Sequence, residues 1–79
     1  MRAARLNSSM IERVVYDPNF RLLTVTFCGG SRYRYAGVPE LVYDGLTRAE
    51  SAGGYFNTRV KGRYPCEPDP AQRRFRPTG

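Results

Sequence analysis

The chain has no histidine, no tryptophan and only two cysteines among its 79 residues. Without histidine, general acid–base catalysis would depend on carboxylates or on the single lysine, Lys61. Cys28 and Cys66 alone do not complete a structural zinc site, which takes four Cys or His ligands. No serine or cysteine has an evident base near it in the sequence. We therefore expect a protein that is not an enzyme and that holds neither a metal nor a cofactor.

Long apolar runs are also missing. The N-terminus lacks the apolar stretch of a secretory signal peptide, and no segment approaches the roughly 20 apolar residues of a transmembrane helix. We expect a cytoplasmic protein without a membrane partner. Both thiols should stay unpaired in that reducing compartment.

Positive charge dominates the chain, because 13 basic and 7 acidic residues give a net charge of +6. All the basic residues except Lys61 are arginines. Arginine binds phosphate through paired hydrogen bonds and stacks on bases, so this composition favours a nucleic-acid partner. The alternative explanation for the Arg:Lys ratio is a GC-rich genome, but it does not account for the net charge.

The length allows one small domain. We expect a flexible leader over residues 1–7, a domain over residues 8–65 and a disordered tail rich in proline and arginine over residues 66–79. A chain this short buries only about 60% of its unfolded surface. Its tyrosines and phenylalanines must therefore supply much of the core.

Three strands joined by two short connections are predicted over residues 11–16, 21–27 and 32–36, which are rich in β-branched and aromatic residues. Asp17-Pro18-Asn19 has the chemistry of a type I turn, and Gly29-Gly30 supplies the positive φ angles of a tight hairpin. Two short connections in succession predict an antiparallel meander in the order 1-2-3.

Two short helices follow the strands. Pro39 suits a helix start, and Val42, Leu46 and Ala49 share one face of the first helix. Ser51 can cap a second helix that ends near Lys61. The predicted fold is therefore α+β, a three-stranded antiparallel meander followed by two short helices packed on one sheet face (β-β-β-α-α).

An ordered set of short motifs covers most of the chain. They are Ser8-Ser9, Tyr16-Asp17, Leu23-x-Val25-x-Phe27-x-Gly29, Tyr33-x-Tyr35, Gly37-Val38-Pro39, Tyr43, Ala49-x-Ser51-x-Gly53-x-Tyr55-Phe56-Asn57 and Tyr64. This set resembles the KTSC domain, named for its occurrence at the C-terminus of some lysyl-tRNA synthetases. The resemblance implies the α+β fold above and, by analogy, contact with RNA.

Tyr33 and Tyr35 alternate with Arg32 and Arg34, so the two pairs must lie on opposite faces of a strand. If the tyrosines join the core, the arginines form a phosphate-binding track on the open face. If the pairs are inverted, the tyrosines become stacking platforms for unpaired bases. The third interpretation is a solvated arginine pair balanced by Glu12 on a neighbouring strand.

The start of the second helix is a candidate anion site, because free N–H groups there attract phosphate. Ser51, Gly53 and Gly54 would form it, with Arg59, Lys61 and Arg63 downstream as further nucleic-acid contacts. The alternative is a plain turn between helices, in which glycine only permits close packing.

Two functions remain open at this point. The first is a small non-catalytic module that contacts RNA or another nucleic acid, single-stranded or tRNA-like, through a basic sheet face. The second is a bacterial or phage protein-interaction module that uses the sheet face or the aromatic residues Tyr43 and Phe75.

Overall fold

The computed structural model describes residues 1–69 of the chain. Its centre is one antiparallel sheet of five strands in the order β1-β2-β3-β4-β5. The strands are β1 (Arg2–Arg5), β2 (Ile11–Asp17), β3 (Leu22–Phe27), β4 (Arg32–Tyr35) and β5 (Cys66–Pro68), and the helices are α1 (Glu40–Arg48) and α2 (Ala52–Arg59).

The α+β class, the meander β2-β3-β4 and the two helices agree with the prediction, but the expected three-stranded sheet is wrong. The leader supplies β1, which pairs with β2 from Arg2↔Tyr16 to Arg5↔Arg13. The start of the tail supplies β5, which pairs with β4. The two edges of a meander carry free backbone N–H and C=O groups, and extended segments that reach them add as strands. The rest of the predicted tail, residues 70–79, lies outside the described residues.

The two connections of the meander have the predicted turn chemistry. Gly29 and Gly30 both have positive φ angles, 107° and 102°, and the Phe27 N–H donates to the Ser31 carbonyl across the hairpin at 2.8 Å. In the first connection the Asn19 N–H donates to Asp17 Oδ1 at 3.0 Å. Local residues therefore determine both reversals of the chain.

The register places the core on one face of the sheet. Tyr16, Leu23 and Tyr35 stand side by side on β2, β3 and β4. From α2 the ring of Phe56 packs edge to face against Phe27 and Tyr35, with centroid distances of 5.4 Å. Both helices cover this face. The buried apolar side chains are Ile11, Val14, Tyr16, Leu23, Val25, Tyr35, Val38, Tyr43, Leu46, Ala52, Phe56 and Val60.

The N-terminal strand is held against α1 by Arg2. Its guanidinium lies 2.8 Å from carboxylate oxygens of both Glu40 and Asp44, and 4.7 Å from the ring centroid of Tyr43. Tyr43 in turn stacks on Tyr16 of β2 at 5.4 Å. One side chain thus connects β1 with the first turns of α1, which explains how a basic leader becomes part of the domain.

Gly45 lies where α1 approaches α2, and an alanine Cβ there would collide with the Tyr55 hydroxyl and lie 2.5 Å from Tyr55 Cζ. Alanine favours a helix over glycine by about 1 kcal/mol. We expect Gly45→Ala to destabilise the protein that carries Tyr55 and to stabilise the Tyr55→Ala variant by up to about 1 kcal/mol. Denaturant unfolding of the four proteins in a double-mutant cycle measures this coupling. The same effect of Gly45→Ala in both backgrounds would show that Tyr55 does not constrain this position.

Candidate nucleic-acid interface

Arg32 and Arg34 lie on the sheet face that the helices leave open. In the register of β3 and β4 they stand opposite Thr26 and Thr24. Residues that pair directly across a sheet share a face, and both threonines alternate with buried residues of β3. The structure therefore places the arginine pair beside the threonines, as the first interpretation of the Tyr-Arg alternation predicts.

Tyr33 and Tyr35 lie on the opposite face, beneath the helices. Tyr35 is only 6% exposed and packs against Phe56. Tyr33 is half-buried, and its ring meets Phe27 edge to face at 6.2 Å. Neither tyrosine is a stacking platform on the open face, so that alternative is wrong.

Both open-face arginines of β4 have carboxylates beside them. Arg34 lies 2.5 Å from Glu67, and Arg32 lies 3.8 Å from Asp69. Glu12, which balances the pair in the third interpretation, lies 3.9 Å from Arg5 instead. The carboxylates that pair with Arg32 and Arg34 therefore come from β5 and from the residue that follows it.

A row of three arginines and one threonine crosses the open face. Arg5, Arg13, Thr26 and Arg32 are successive partners on β1, β2, β3 and β4. With strands about 4.8 Å apart, this row spans roughly 14 Å. Arg13 makes no ion pair with any residue between 1 and 69. We call these four residues the arginine row.

The arginine row borders an open concavity of about 600 Å³, which Arg13, Thr26 and Arg32 line together with the carboxylates of Glu12 and Asp69. Sequence reasoning did not select Arg5 and Arg13 as site residues. Arg13 could have been found from its place in the predicted first strand. Arg5 could not, because no pattern in the leader indicated a strand.

The basic residues at the end of α2 lie apart from the arginine row, on the helix side of the molecule. Arg59 is exposed and lies 5.8 Å from the ring centroid of Tyr55. The Arg63 Nε–H donates to the Thr58 carbonyl at 2.8 Å. Lys61 is exposed. The structure thus divides the predicted nucleic-acid residues between two faces.

The start of α2 is arranged as a tightly packed helix cap. Ser51 Oγ accepts a hydrogen bond from the Gly54 N–H at 3.1 Å. A Cβ at Gly53 would lie 3.5 Å from Met10 Cβ, and one at Gly54 would lie 3.1 Å from Ser51 Oγ. These contacts agree with the alternative interpretation, in which Gly53 and Gly54 permit close packing in a turn between the helices. An anion site at Ser51, Gly53 and Gly54 stays a prediction.

Residues 1–69 contain no group of three or more His, Cys, Asp or Glu side chains that could hold a metal ion. Cys28 and Cys66 are both free and exposed. None of the helices in this part of the chain has the length and apolar character needed to cross a membrane.

Comparison with known proteins identifies the family. The model of the KTSC domain matches residues 7–64. A crystal structure of a KTSC domain protein from Yersinia pestis superposes with a TM-score of 0.82 at 32% sequence identity, covering 86% of this chain and 96% of that one. The chain belongs to the KTSC domain family.

Relatives of the chain occur both alone and within larger enzymes. A protein of Tsukamurella paurometabola is 44% identical over 59 residues, which are 75% of this chain and 88% of that protein. An uncharacterized protein of Stutzerimonas stutzeri is 38% identical over 64 residues, 81% of this chain and 90% of that protein. A lysine–tRNA ligase of Nostoc punctiforme is 37% identical over 59 residues, 75% of this chain but only 10% of the ligase.

Proposed function

We propose that this chain is a small non-catalytic, cytoplasmic module that binds single-stranded RNA through the open face of its sheet. The arginine row carries the proposal, because Arg5, Arg13 and Arg32 align across strands on the face that α1 and α2 leave uncovered. Guanidinium groups held by neighbouring strands can contact successive phosphates of an extended backbone. The hydroxyl of Thr26 adds a neutral hydrogen-bonding group within the row.

The carboxylates of Glu67 and Asp69 compete with phosphate for the arginines of β4. The pair between Arg34 and Glu67 is exposed, and exposed ion pairs contribute only about 0–1 kcal/mol each, so phosphate can displace Glu67 at little cost. The Glu67 side chain is 63% exposed and is free to move into solvent. Arg13 requires no such exchange, since it has no ion-pair partner among residues 1–69.

The relatives support RNA as the nucleic acid. Segments similar to this chain occur in lysine–tRNA ligases from Nostoc punctiforme and Trichormus variabilis, with 37% identity over 59 residues in each. The names of those proteins specify a tRNA substrate. A basic module attached to such an enzyme would assist contact with RNA, and the same chemistry would serve a chain that carries the module alone.

A protein-interaction module is the second candidate. Phe20 in the β2–β3 connection and Leu41 in the first turn of α1 are both exposed. The Val38 N–H donates to the Arg21 carbonyl at 2.9 Å and joins these two regions. Tyr43 is only 3% exposed, so it cannot serve a protein interface as the sequence suggested. Phe75 lies outside the described residues.

Removing two charges from the arginine row tests the RNA proposal. We expect Arg13→Gln with Arg32→Gln to weaken binding of a fluorescent single-stranded RNA at least about tenfold at low salt. The slope of log affinity against log salt should become less steep by about 1.4, since each single-strand phosphate contact contributes about 0.7. Fluorescence anisotropy across a salt series measures both quantities.

The matched control is Arg21→Gln with Arg48→Gln, which removes the same charge from two exposed residues outside the arginine row. This control should bind RNA almost as the parent does. Equal losses in the two double variants would mean that binding follows net charge alone. Unchanged affinity in the Arg13/Arg32 variant would exclude the open face as the site.

A further inference from the structure

A second concave surface lies on the helix side of the sheet, between β4 and α2, with a volume of about 390 Å³. This size falls in the range of small-molecule sites, about 300–1,000 Å³. Its aromatic residues are buried or half-buried whereas Asn57 and Lys61 are exposed, so the rings form the floor and the polar side chains the rim. We call it the aromatic groove, lined by Phe27, Tyr33, Tyr35 and Phe56, with Asn57 and Lys61 at the rim.

The floor of the aromatic groove is held in a fixed arrangement. Phe27 packs edge to face against Tyr33 at 6.2 Å and against Phe56 at 5.4 Å. Phe56 also packs against Tyr35 at 5.4 Å. The four rings therefore hold one another in place, which lowers the entropy cost of binding a planar group.

The charge at the aromatic groove is positive. Among residues 1–69 no carboxylate lines it and Lys61 has no ion-pair partner. Burial, followed by the charge of Cys66 and a side-chain hydrogen bond with it, raises the pKa of Tyr35 to about 12. The phenol of Tyr35 is therefore neutral at physiological pH. The groove combines a neutral aromatic floor with one cation at its rim.

We propose that the aromatic groove binds one unpaired nucleotide, with the base stacked on the aromatic floor at Tyr33 and the phosphate at Lys61. Every base has a π face that stacks on aromatic side chains, and an ammonium group pairs with phosphate as a point charge. The amide of Asn57 at the rim can donate to and accept from the polar edge of a base. A planar apolar group with an attached anion matches both parts of the groove.

The position of the groove relative to the arginine row supports a nucleotide rather than another planar anion. Cys66 lines the aromatic groove, whereas the next residue, Glu67, faces Arg34 on the open side. Both residues belong to β5, so successive residues of this three-residue strand face the two surfaces. This inference rests on the proposed RNA function, because an RNA strand on the arginine row can pass over β5 and place one nucleotide in the groove.

The test uses uridine monophosphate, uridine and ribose 5-phosphate as separate probes, followed by amide chemical shifts of the full chain. Uridine monophosphate should shift the amides of Tyr33 and of residues 56–61 and should saturate. Uridine lacks the phosphate and ribose 5-phosphate lacks the base, so each should bind at least about fivefold more weakly. Equal binding of uridine would overturn the phosphate assignment, and equal binding of ribose 5-phosphate would overturn the base assignment.

Two variants test the residues. Tyr33→Leu should weaken uridine monophosphate binding about tenfold, in the range of one lost base–aromatic stack. Lys61 is exposed, so Lys61→Gln leaves the core intact. This variant should reduce the ratio of the affinity for uridine monophosphate to the affinity for uridine. The control variant Arg48→Gln removes a charge from the last turn of α1. It should change neither the affinity for uridine monophosphate nor the ratio of that affinity to the affinity for uridine.

The outcomes for the groove and for the arginine row are separable. If uridine monophosphate causes no shifts around the groove while RNA binding still depends on Arg13 and Arg32, the groove proposal is wrong and the RNA function stands. If uridine monophosphate binds in the groove while the Arg13/Arg32 variant keeps full RNA affinity, the arginine row is not the RNA-binding site, and the proposal of a nucleotide site in the groove stands.

Discussion

Phe56→Ala is expected to destabilise the domain by about 3–5 kcal/mol, as large-to-small substitutions of buried phenylalanine do. Phe56 is 2% exposed, and its ring contacts both Phe27 and Tyr35 at 5.4 Å. Native proteins are stable by roughly 0.05–0.15 kcal/mol per residue, so a chain of this length has only about 4–12 kcal/mol in total. The variant should therefore unfold at a much lower urea concentration, and circular dichroism during a urea titration measures the change.

The chain offers a matched control for this prediction in Phe20. Its side chain is 76% exposed in the β2–β3 connection, so Phe20→Ala removes the same atoms without opening a cavity. Its free energy of unfolding should stay within about 0.5 kcal/mol of the parent. Similar losses in the two variants would mean that Phe56 does not connect α2 to the sheet as described.

Alkaline pH is expected to destabilise the folded protein through Tyr35. Burial, then the charge of Cys66 and a side-chain hydrogen bond with it, raises the pKa of this phenol from 10.0 to about 12. Below pH 10 the phenol is protonated in both states, and its contribution to stability is complete. Between pH 10 and 12 the unfolded chain loses the proton and the folded chain keeps it, so the free energy of unfolding falls as pH rises.

Tyr35→Phe removes the titrating group and tests this assignment. The free energies of unfolding of the variant and the parent at pH about 8, where the phenol is neutral, give the baseline. From pH about 10 to 12 the free energy of unfolding should fall less in the variant than in the parent. A smaller decline should remain in the variant, because burial also raises the pKa of Tyr16 and of Tyr43. Urea titrations across this pH series measure the difference. Parallel declines in the two proteins would contradict a raised Tyr35 pKa.

The central meander could be predicted from the sequence because its determinants are local. Asp17 and Gly29-Gly30 specify reversals within a few residues, and the alternation in 22–27 specifies which side chains share a face. In the register of the structure, Tyr35 pairs with Leu23 and lies with it beneath the helices. The alternation also separated Arg32 and Arg34 from Tyr33 and Tyr35, but only the register in the structure decided that the arginines lie on the open face.

The edge strands could not be predicted in this way. The segments RAAR and CEP are short, and neither has a run of β-branched residues or an apolar alternation. Such segments become strands because they reach the free edges of an existing sheet, and pairing depends more on neighbours than on propensity. The ion pair between Arg34 and Glu67 depends on that placement.

By itself the sequence determined the α+β class, the order of the central elements and which residues within each strand share a face, since turn chemistry and periodicity act over a few residues. Only the tertiary structure decided which charges meet. The alignment of Arg5 with Arg13 and Arg32, and the approach of Lys61 to the aromatic groove, join residues far apart in the chain. Contacts of that kind depend on how whole elements pack, and no local pattern specifies them.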